Sequence, residues 1–221
     1  MCGRYTITTD PARLAQRFEA APPAQLNAPR FNAAPTQHLP VVLADGDRSM
    51  ALLRWGLIPH WAEDPAIGNK MINARAETID QKPSFSEAFR KRRCLVLADG
   101  YYEWQKTAAG KIPMRFVMND DAPFAFAGLW ETWGNGDDRI RSFTIITTSA
   151  NETTAPIHNR MPVILHREHE NSWLDPATDP LDLHTMLLPY PGDAMRVYPV
   201  SKSINSPSND SADLIVPINS L

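Results

Sequence analysis

The fold is decided by the stretch Cys94-Leu95-Val96-Leu97-Ala98-Asp99-Gly100-Tyr101-Tyr102-Glu103-Trp104-Gln105-Lys106. Its first five residues form a continuous apolar run, which is typical of a strand buried on both faces. Asp99 and Gly100 are turn residues, and the aromatic residues that follow favour a second strand. This pattern predicts a chain that is built mainly from strands.

Turn residues divide the rest of the chain into short elements. A hairpin is predicted from residues 41–44 and 50–55 across Asp45-Gly46-Asp47. Further strands are predicted at residues 113–118, 124–130, 139–148, 163–165 and 196–200, and short helices at residues 10–18, 84–91, 168–174 and 181–188. We therefore expect an α+β fold: a single β-rich domain over residues 1–221 with a curled or barrel-like sheet and short peripheral helices.

Composition excludes several classes of protein. The 221 residues are 43% hydrophobic and 21% charged, as in a globular protein rather than a disordered or fibrous one. Without a signal pattern or an apolar run of the roughly 18 residues that span a membrane, we expect a cytoplasmic protein. The net charge of −3 gives no global basic field, so a nucleic-acid site has to be a local patch. We find no disulfide framework, metal-ligand spacing or cofactor motif.

Cys2 is the first candidate for a reactive residue. Removal of Met1, which a small side chain at position 2 favours, leaves both an α-amine and a thiol on Cys2. The pKa of an α-amine is about 7.7–8.0, so roughly a tenth of it is neutral and nucleophilic at pH 7. An amine and a thiol on adjacent carbons condense with an aldehyde, first to a Schiff base and then by intramolecular closure to a thiazolidine. A cysteine at this position can also be incidental.

Four other motifs hold candidate residues. Tryptophans beside Arg54, namely Trp55 and Trp61, can stack on single-stranded bases if they are exposed. The remaining candidates are polar or charged: Asn73 to orient a nucleophile, Arg75 for a phosphate, Glu103 for acid–base work among aromatic residues, and His158 for proton transfer. From the residues alone, core packing, a helix cap or a surface ion pair explains each of them equally.

In their order along the chain, these motifs resemble one family, the SOS-response-associated peptidase (SRAP) family. The matching segments are Met1-Cys2-Gly3-Arg4-Tyr5, Phe31-Asn32-Ala33-Ala34-Pro35-Thr36, Arg54-Trp55-Gly56-Leu57-Ile58-Pro59, Ile72-Asn73-Ala74-Arg75-Ala76-Glu77-Thr78, Leu97-Ala98-Asp99-Gly100-Tyr101-Tyr102-Glu103-Trp104 and Ile157-His158-Asn159-Arg160-Met161-Pro162. Six ordered motifs make the resemblance specific. One departure is Asn159-Arg160-Met161, where relatives commonly carry an acidic and a second basic residue.

The resemblance implies the SRAP fold and an abasic-site sensor. Such a protein binds single-stranded DNA and crosslinks to the open-ring aldehyde of an abasic deoxyribose, with associated strand cleavage. The implied roles are Cys2 as the nucleophile, Asn73 as the residue that orients the N-terminus, Glu103 as the acid and base, and His158 as a proton carrier at the sugar. The implied DNA contacts are Arg4, Asn32, Trp55, Trp61, Arg75 and Arg160. We expect a monomer whose partner is single-stranded DNA with abasic sites, and which needs no metal ion or cofactor.

Two other functions stay open at this point. The first is an N-terminal-nucleophile cysteine peptidase or amidohydrolase, in which Cys2 attacks and His158 or Glu103 is the base. The second is a plain single-strand binding module that uses the tryptophans and arginines. In that case Cys2→Ala leaves all activity intact.

Overall fold

Strands are the most abundant regular elements of the computed structural model, which describes residues 2–26, 29–44 and 48–218. In these ranges the strands are β1 (Tyr5–Ile7), β2 (Arg30–Ala33), β3 (His38–Leu43), β4 (Ser49–Trp55), β5 (Asn73–Arg75), β6 (Arg93–Ala98), β7 (Gly100–Thr107), β8 (Gly110–Met118), β9 (Phe124–Trp133), β10 (Ile140–Ser149), β11 (Arg160–Pro162) and β12 (Met195–Pro199). The α-helices are short: α1 (Pro11–Phe18), α2 (Ser86–Lys91), α3 (Glu170–Leu174) and α4 (Pro180–Thr185). The predicted α+β class is confirmed. None of the helices in the described ranges has the length and apolarity to cross a membrane.

Five strands close into a ring in the order β3–β4–β10–β9–β6, since β6 pairs with β3 as well as with β9. β4 and β10 run parallel, and the other neighbours in the ring are antiparallel. β5 and β11 extend this sheet by pairing with β10. Each residue of β6 is buried, as its continuous apolar run predicts. The predicted barrel-like sheet is confirmed.

The stretch at residues 94–106 joins this ring to a second sheet of order β12–β8–β7–β1–β2. At the corner, the Asp99 carboxylate accepts hydrogen bonds from Thr6 Oγ1 at 2.6 Å and from the backbone N–H of Thr9 at 2.7 Å. A Cβ on Gly100 would lie 2.9 Å from Thr6 Oγ1 and 3.0 Å from Arg115 Nε, so the corner requires glycine. The chain changes sheets at this corner, so that β6 pairs within the ring and β7 pairs with β1 in the second sheet.

Four strands were not predicted from the sequence: β1, β2, β5 and β11. Each has only three or four residues, which is too short for an alternating pattern to be visible. The strand predicted at residues 163–165 is reduced to an isolated bridge between Ile164 and Phe126, after β11. The turn predicted at residues 45–47 lies outside the described residues, although β3 and β4 pair as the hairpin predicts.

Two glycines pack against each other in the loop between β4 and β5, which leads to Asn73. A Cβ on Gly68 would lie 2.7 Å from the carbonyl oxygen of Gly56 and 2.8 Å from Ile58 Cγ1. We expect Gly68→Ala to lower the free energy of unfolding by about 1–3 kcal/mol, because the added methyl group has no space. Thermal unfolding measures the loss. Gly136→Asn is the control, since its φ of 56° suits asparagine and nothing lies within 4 Å; equal losses in the two variants would contradict the packing argument.

Candidate active site

Cys2 is held in place from its backbone. Its carbonyl oxygen accepts a hydrogen bond from Asn73 Nδ2 at 2.9 Å. Its side chain is buried, with Sγ 3.9 Å from the carbonyl oxygen of Arg4. Met1 lies outside the described residues, so its removal stays a prediction. The second residue of the chain is thus fixed at the entrance to β1.

Asn73 owes its position to β5, which pairs in parallel with β10 so that Asn73 lies opposite Ile145. While Nδ2 binds Cys2, the buried Oδ1 of Asn73 has no hydrogen-bond partner in the described part of the chain. A buried acceptor without a partner costs about 1–3 kcal/mol. A donor brought to this oxygen would recover that free energy.

Glu103 reaches the same place from β7. Tyr5 in β1 lies opposite Tyr101, and the backbone N–H of Tyr102 donates to the carbonyl oxygen of Arg4 at 3.0 Å. Continued by two residues, this antiparallel register places Glu103 opposite Gly3, next to Cys2.

The Cys2 thiol is kept protonated by its surroundings. Burial, and then the negative charge of Glu103, raise the pKa of the Cys2 thiol well above its ordinary value of 9.0. At neutral pH the site therefore holds a thiol rather than a thiolate.

His158 lies in the turn between β10 and β11. Its Nδ1 lies 3.0 Å from the backbone nitrogen and 3.2 Å from the carbonyl oxygen of Arg160, so the backbone of Arg160 fixes the orientation of the ring. The backbone N–H of His158 donates to the carbonyl oxygen of Thr154 at 2.9 Å. Thr154 in turn lies 3.2 Å from the hydroxyl oxygen of Tyr101 in β7, so the turn contacts the strand that carries Glu103.

Asn32 does not face the solvent as a DNA contact. Its side chain is buried, with Nδ2 donating to the carbonyl oxygens of Ser206 at 2.9 Å and Asn209 at 2.8 Å. Its Oδ1 accepts from Arg4 Nη1 at 2.8 Å. The amide thus holds Arg4 and the C-terminal segment together, and a direct contact of Asn32 with DNA stays a prediction.

The two tryptophans differ, although an exposed pair was predicted. Trp55 is fully buried, donates from Nε1 to the carbonyl oxygen of Ile72 at 2.9 Å and packs edge-on to Tyr5. In this structure the indole packs against protein on all sides, and its role as a stacking residue stays a prediction. Trp61 is 51% exposed and lines a groove with Lys70. Trp61 is thus the member of the pair that a base can reach.

The two predicted phosphate contacts also differ. Arg75 is exposed at the end of β5. Arg160 binds both carboxylate oxygens of Glu77, with Nη2 at 2.9 Å from Oε2, and also donates to the carbonyl oxygen of Thr147 at 2.6 Å. The hydrogen bond from Arg160 lowers the pKa of Glu77. A phosphate can approach Arg75 directly but has to compete with Glu77 for Arg160.

Residues 1–207 match the sequence profile of the family described as SOS response associated peptidase (SRAP). The chain belongs to the SRAP family. It is 45% identical to the abasic site processing protein YoaM of Bacillus subtilis, over 97% of each chain. It is 33% identical to the abasic site processing protein HMCES of Gallus gallus, over 99% of this chain and 78% of that protein. A crystal structure of a protein from Bacteroides thetaiotaomicron superposes with a TM-score of 0.90 at 29% identity, over 99% of this chain and 100% of that one.

Two further residues near the site, Tyr101 and Thr154, were not among the candidates chosen from the sequence. Tyr101 precedes Glu103 by two positions in a strand, so alternation already places both side chains on one face. Thr154 gives no such signal, because it lies in a polar turn whose path the sequence does not define. Their contact becomes visible only in the three-dimensional structure.

Proposed function

We propose that this SRAP protein captures abasic sites in single-stranded DNA through a thiazolidine between Cys2 and the open-ring aldehyde of the sugar, after removal of Met1. The relatives that are named abasic site processing proteins support this substrate. The observation that carries the proposal is the anchoring of Cys2 by Asn73 beside the buried Glu103. In this proposal a monomer of one domain acts in the cytoplasm without a metal ion or cofactor.

Asn73 orients the α-amine that removal of Met1 leaves on Cys2. Its Nδ2 already holds the carbonyl group of Cys2, and its buried Oδ1 is available to accept an N–H from the same residue. One amide side chain then orients the backbone on both sides of the Cys2 Cα. This arrangement directs the nitrogen lone pair towards an incoming aldehyde.

The covalent reaction has two steps. The amine of Cys2 adds to the C1′ aldehyde, and loss of one water gives the Schiff base. The sulfur then adds to the same carbon while the thiol proton moves to the nitrogen, which closes the thiazolidine. Glu103 takes a proton from the amine nitrogen as it adds to the aldehyde, donates that proton to the leaving water, and relays the thiol proton to the nitrogen in the second step. The same Schiff base, formed before ring closure, also permits strand cleavage, with His158 as a proton carrier.

The protonated state of the Cys2 thiol favours a reaction that begins at the amine over the thiolate attack of a cysteine hydrolase. A cysteine peptidase needs a thiolate, which a neighbouring cation or histidine stabilises. Burial and the carboxylate of Glu103 act in the opposite direction on the pKa of the Cys2 thiol. An attack that begins at the amine needs no thiolate, so the same surroundings are compatible with Schiff-base formation.

We assign three residues to the DNA surface, namely exposed Trp61, exposed Arg75 and half-buried Arg4. Trp61 supplies a face on which a base can stack, and Arg75 supplies an exposed guanidinium for a phosphate. Arg4 adds positive charge, since the hydrogen bonds that it donates go to uncharged oxygens. Trp55 and Asn32 support this surface from within.

Intact mass spectrometry tests the proposed function. Processed protein incubated with an abasic single-stranded oligonucleotide is expected to gain the mass of the oligonucleotide minus one water. Protein with a retained N-terminal tag is expected to gain nothing, because its Cys2 nitrogen is an amide.

Two cysteine variants complete the experiment. Cys2→Ala is expected to abolish the adduct, whereas Cys94→Ala keeps it, because Cys94 is buried in β6 of the ring. An unchanged mass of the processed protein after long incubation would refute covalent capture. Repeated turnover of a peptide substrate that depends on Cys2 would favour the hydrolase instead.

A further inference from the structure

Tyr101 is a buried tyrosine whose hydroxyl group contacts a buried threonine. Its ring stacks on Phe116, with centroids 4.7 Å apart and planes 5° apart. Its hydroxyl oxygen lies 3.2 Å from Thr154 Oγ1, and both residues are fully buried. A hydrogen bond that is sheltered from water in this way fixes geometry more strictly than an exposed one.

Thr154 is the centre of the turn that carries His158. Its backbone N–H donates to Asn151 Oδ1 at 2.8 Å, and its carbonyl oxygen accepts from the N–H groups of Ile157 and His158, both at 2.9 Å. A shift of Thr154 therefore moves the backbone of His158 directly.

At the other end of the contact with Thr154, Tyr101 lies near the proposed reacting residues. Tyr101 is on the same face of β7 as Glu103. Burial raises the pKa of the Tyr101 hydroxyl, and the charge of Glu103 raises it further, so the hydroxyl lies within the electrostatic reach of that carboxylate. Tyr101 thus connects the strand of Glu103 to the turn of His158.

We propose that Tyr101 is a positioning residue, which through Thr154 holds His158 against the sugar for the opening of the closed deoxyribose ring. This inference rests on the proposed function, since it concerns how the same site obtains its aldehyde. Ring opening breaks the C1′–O4′ bond, removes the proton of the C1′ hydroxyl and adds one proton to O4′. The reaction is an isomerisation and needs no further reactant.

Opening of the sugar ring depends on the position of the proton carrier more strongly than Schiff-base formation at a free aldehyde does. The proton carrier has to meet a particular oxygen of the sugar, and a misplacement of about 1 Å can slow such a step about a hundredfold. An aldehyde that is already open bypasses this requirement.

Two DNA probes separate the steps. One oligonucleotide carries a true abasic deoxyribose, which is mainly ring-closed, and the other carries an acyclic aldehyde at the same position. Tyr101→Phe keeps the stacked ring but removes the hydroxyl. We expect it to slow single-turnover capture of the abasic site by about ten- to a hundredfold and to leave capture of the acyclic aldehyde unchanged.

Variants of Thr154 and a control variant of Tyr5 distinguish loss of the Tyr101–Thr154 contact from a folding defect. Thr154→Val is expected to match Tyr101→Phe, and Thr154→Ser, which keeps a hydroxyl, is expected to retain the wild-type rate. Tyr5→Phe is the matched control, because Tyr5 is equally buried but its hydroxyl has no hydrogen-bond partner in the described ranges. In a His158→Gln background, Tyr101→Phe should add no further loss.

Equal slowing on both probes, or no slowing of the abasic site by Tyr101→Phe and Thr154→Val, would overturn the positioning role. Loss of rate in Tyr5→Phe to the same extent would do so as well. Failure of the wild-type protein to capture either probe would instead refute the proposed function, so the two failures are distinguishable.

Discussion

Replacement of Glu103 by glutamine is expected to lower the rate of covalent capture by about 10²–10⁴-fold, the usual contribution of a positioned acid or base. Glutamine keeps the size and the hydrogen-bonding oxygen of the side chain but cannot exchange a proton. Binding of single-stranded DNA should be unchanged, because buried Glu103 offers no surface to a phosphate. Quenched gel assays measure capture, and fluorescence anisotropy measures binding.

Glu131→Gln is the matched control for this experiment. Glu131 is also buried, but in β9, where its carboxylate binds Arg92 Nη2 at 2.7 Å and lies 3.3 Å from His60 Nδ1. The same chemical change at this position should reduce stability and leave capture intact. A Glu103→Gln protein that captures at the wild-type rate would remove Glu103 from the mechanism.

Alkaline pH is expected to unfold the protein. Burial raises the pKa of two thiols, Cys2 and Cys94, above 9.0, and that of three hydroxyls, Tyr5, Tyr101 and Tyr102, above 10.0. Above these ordinary values the unfolded chain releases protons that the folded chain retains. Each group therefore stabilises the fold fully at neutral pH and loses up to about 1.4 kcal/mol of that contribution per pH unit as the pH rises.

Urea unfolding between pH 7.5 and about 10.5, where these reference pKa values lie, measures this loss. The free energy of unfolding should be nearly constant at first and then fall steeply above pH 9. Cys94→Ala removes one of the groups and should make the fall less steep. A free energy that stays constant to the highest pH would show that the thiols and hydroxyls ionise within the folded protein.

The sequence was informative where a pattern is local. The apolar run before Asp99 identifies a strand of the ring, and the residues that the motifs bring forward for chemistry, Cys2, Asn73 and Glu103, come together in the structure. Their proximity could not be derived from spacing, since each lies on a different strand or at its entrance. The resemblance to a family supplied that link.

Burial was the property that the sequence did not determine. Trp55 and Trp61 stand close together in the sequence, but Trp55 is buried and Trp61 is exposed. Asn32 shows the same limit, because the carbonyl groups that its Nδ2 binds lie more than 170 positions away along the chain. Whether a polar or aromatic residue meets a ligand or the protein itself depends on such distant segments.

The place of β1 in its sheet matters once DNA is attached to it. β1 lies between β7 and β2, antiparallel to both, and Cys2 is at its N-terminal entrance. In the proposed crosslink, a force on the captured strand that is directed along β1 would load the hydrogen bonds on both sides of β1 in shear, so that they resist together. On an edge strand a single row of hydrogen bonds would carry the same force. The proposed attachment point therefore begins a strand that two neighbours hold in place.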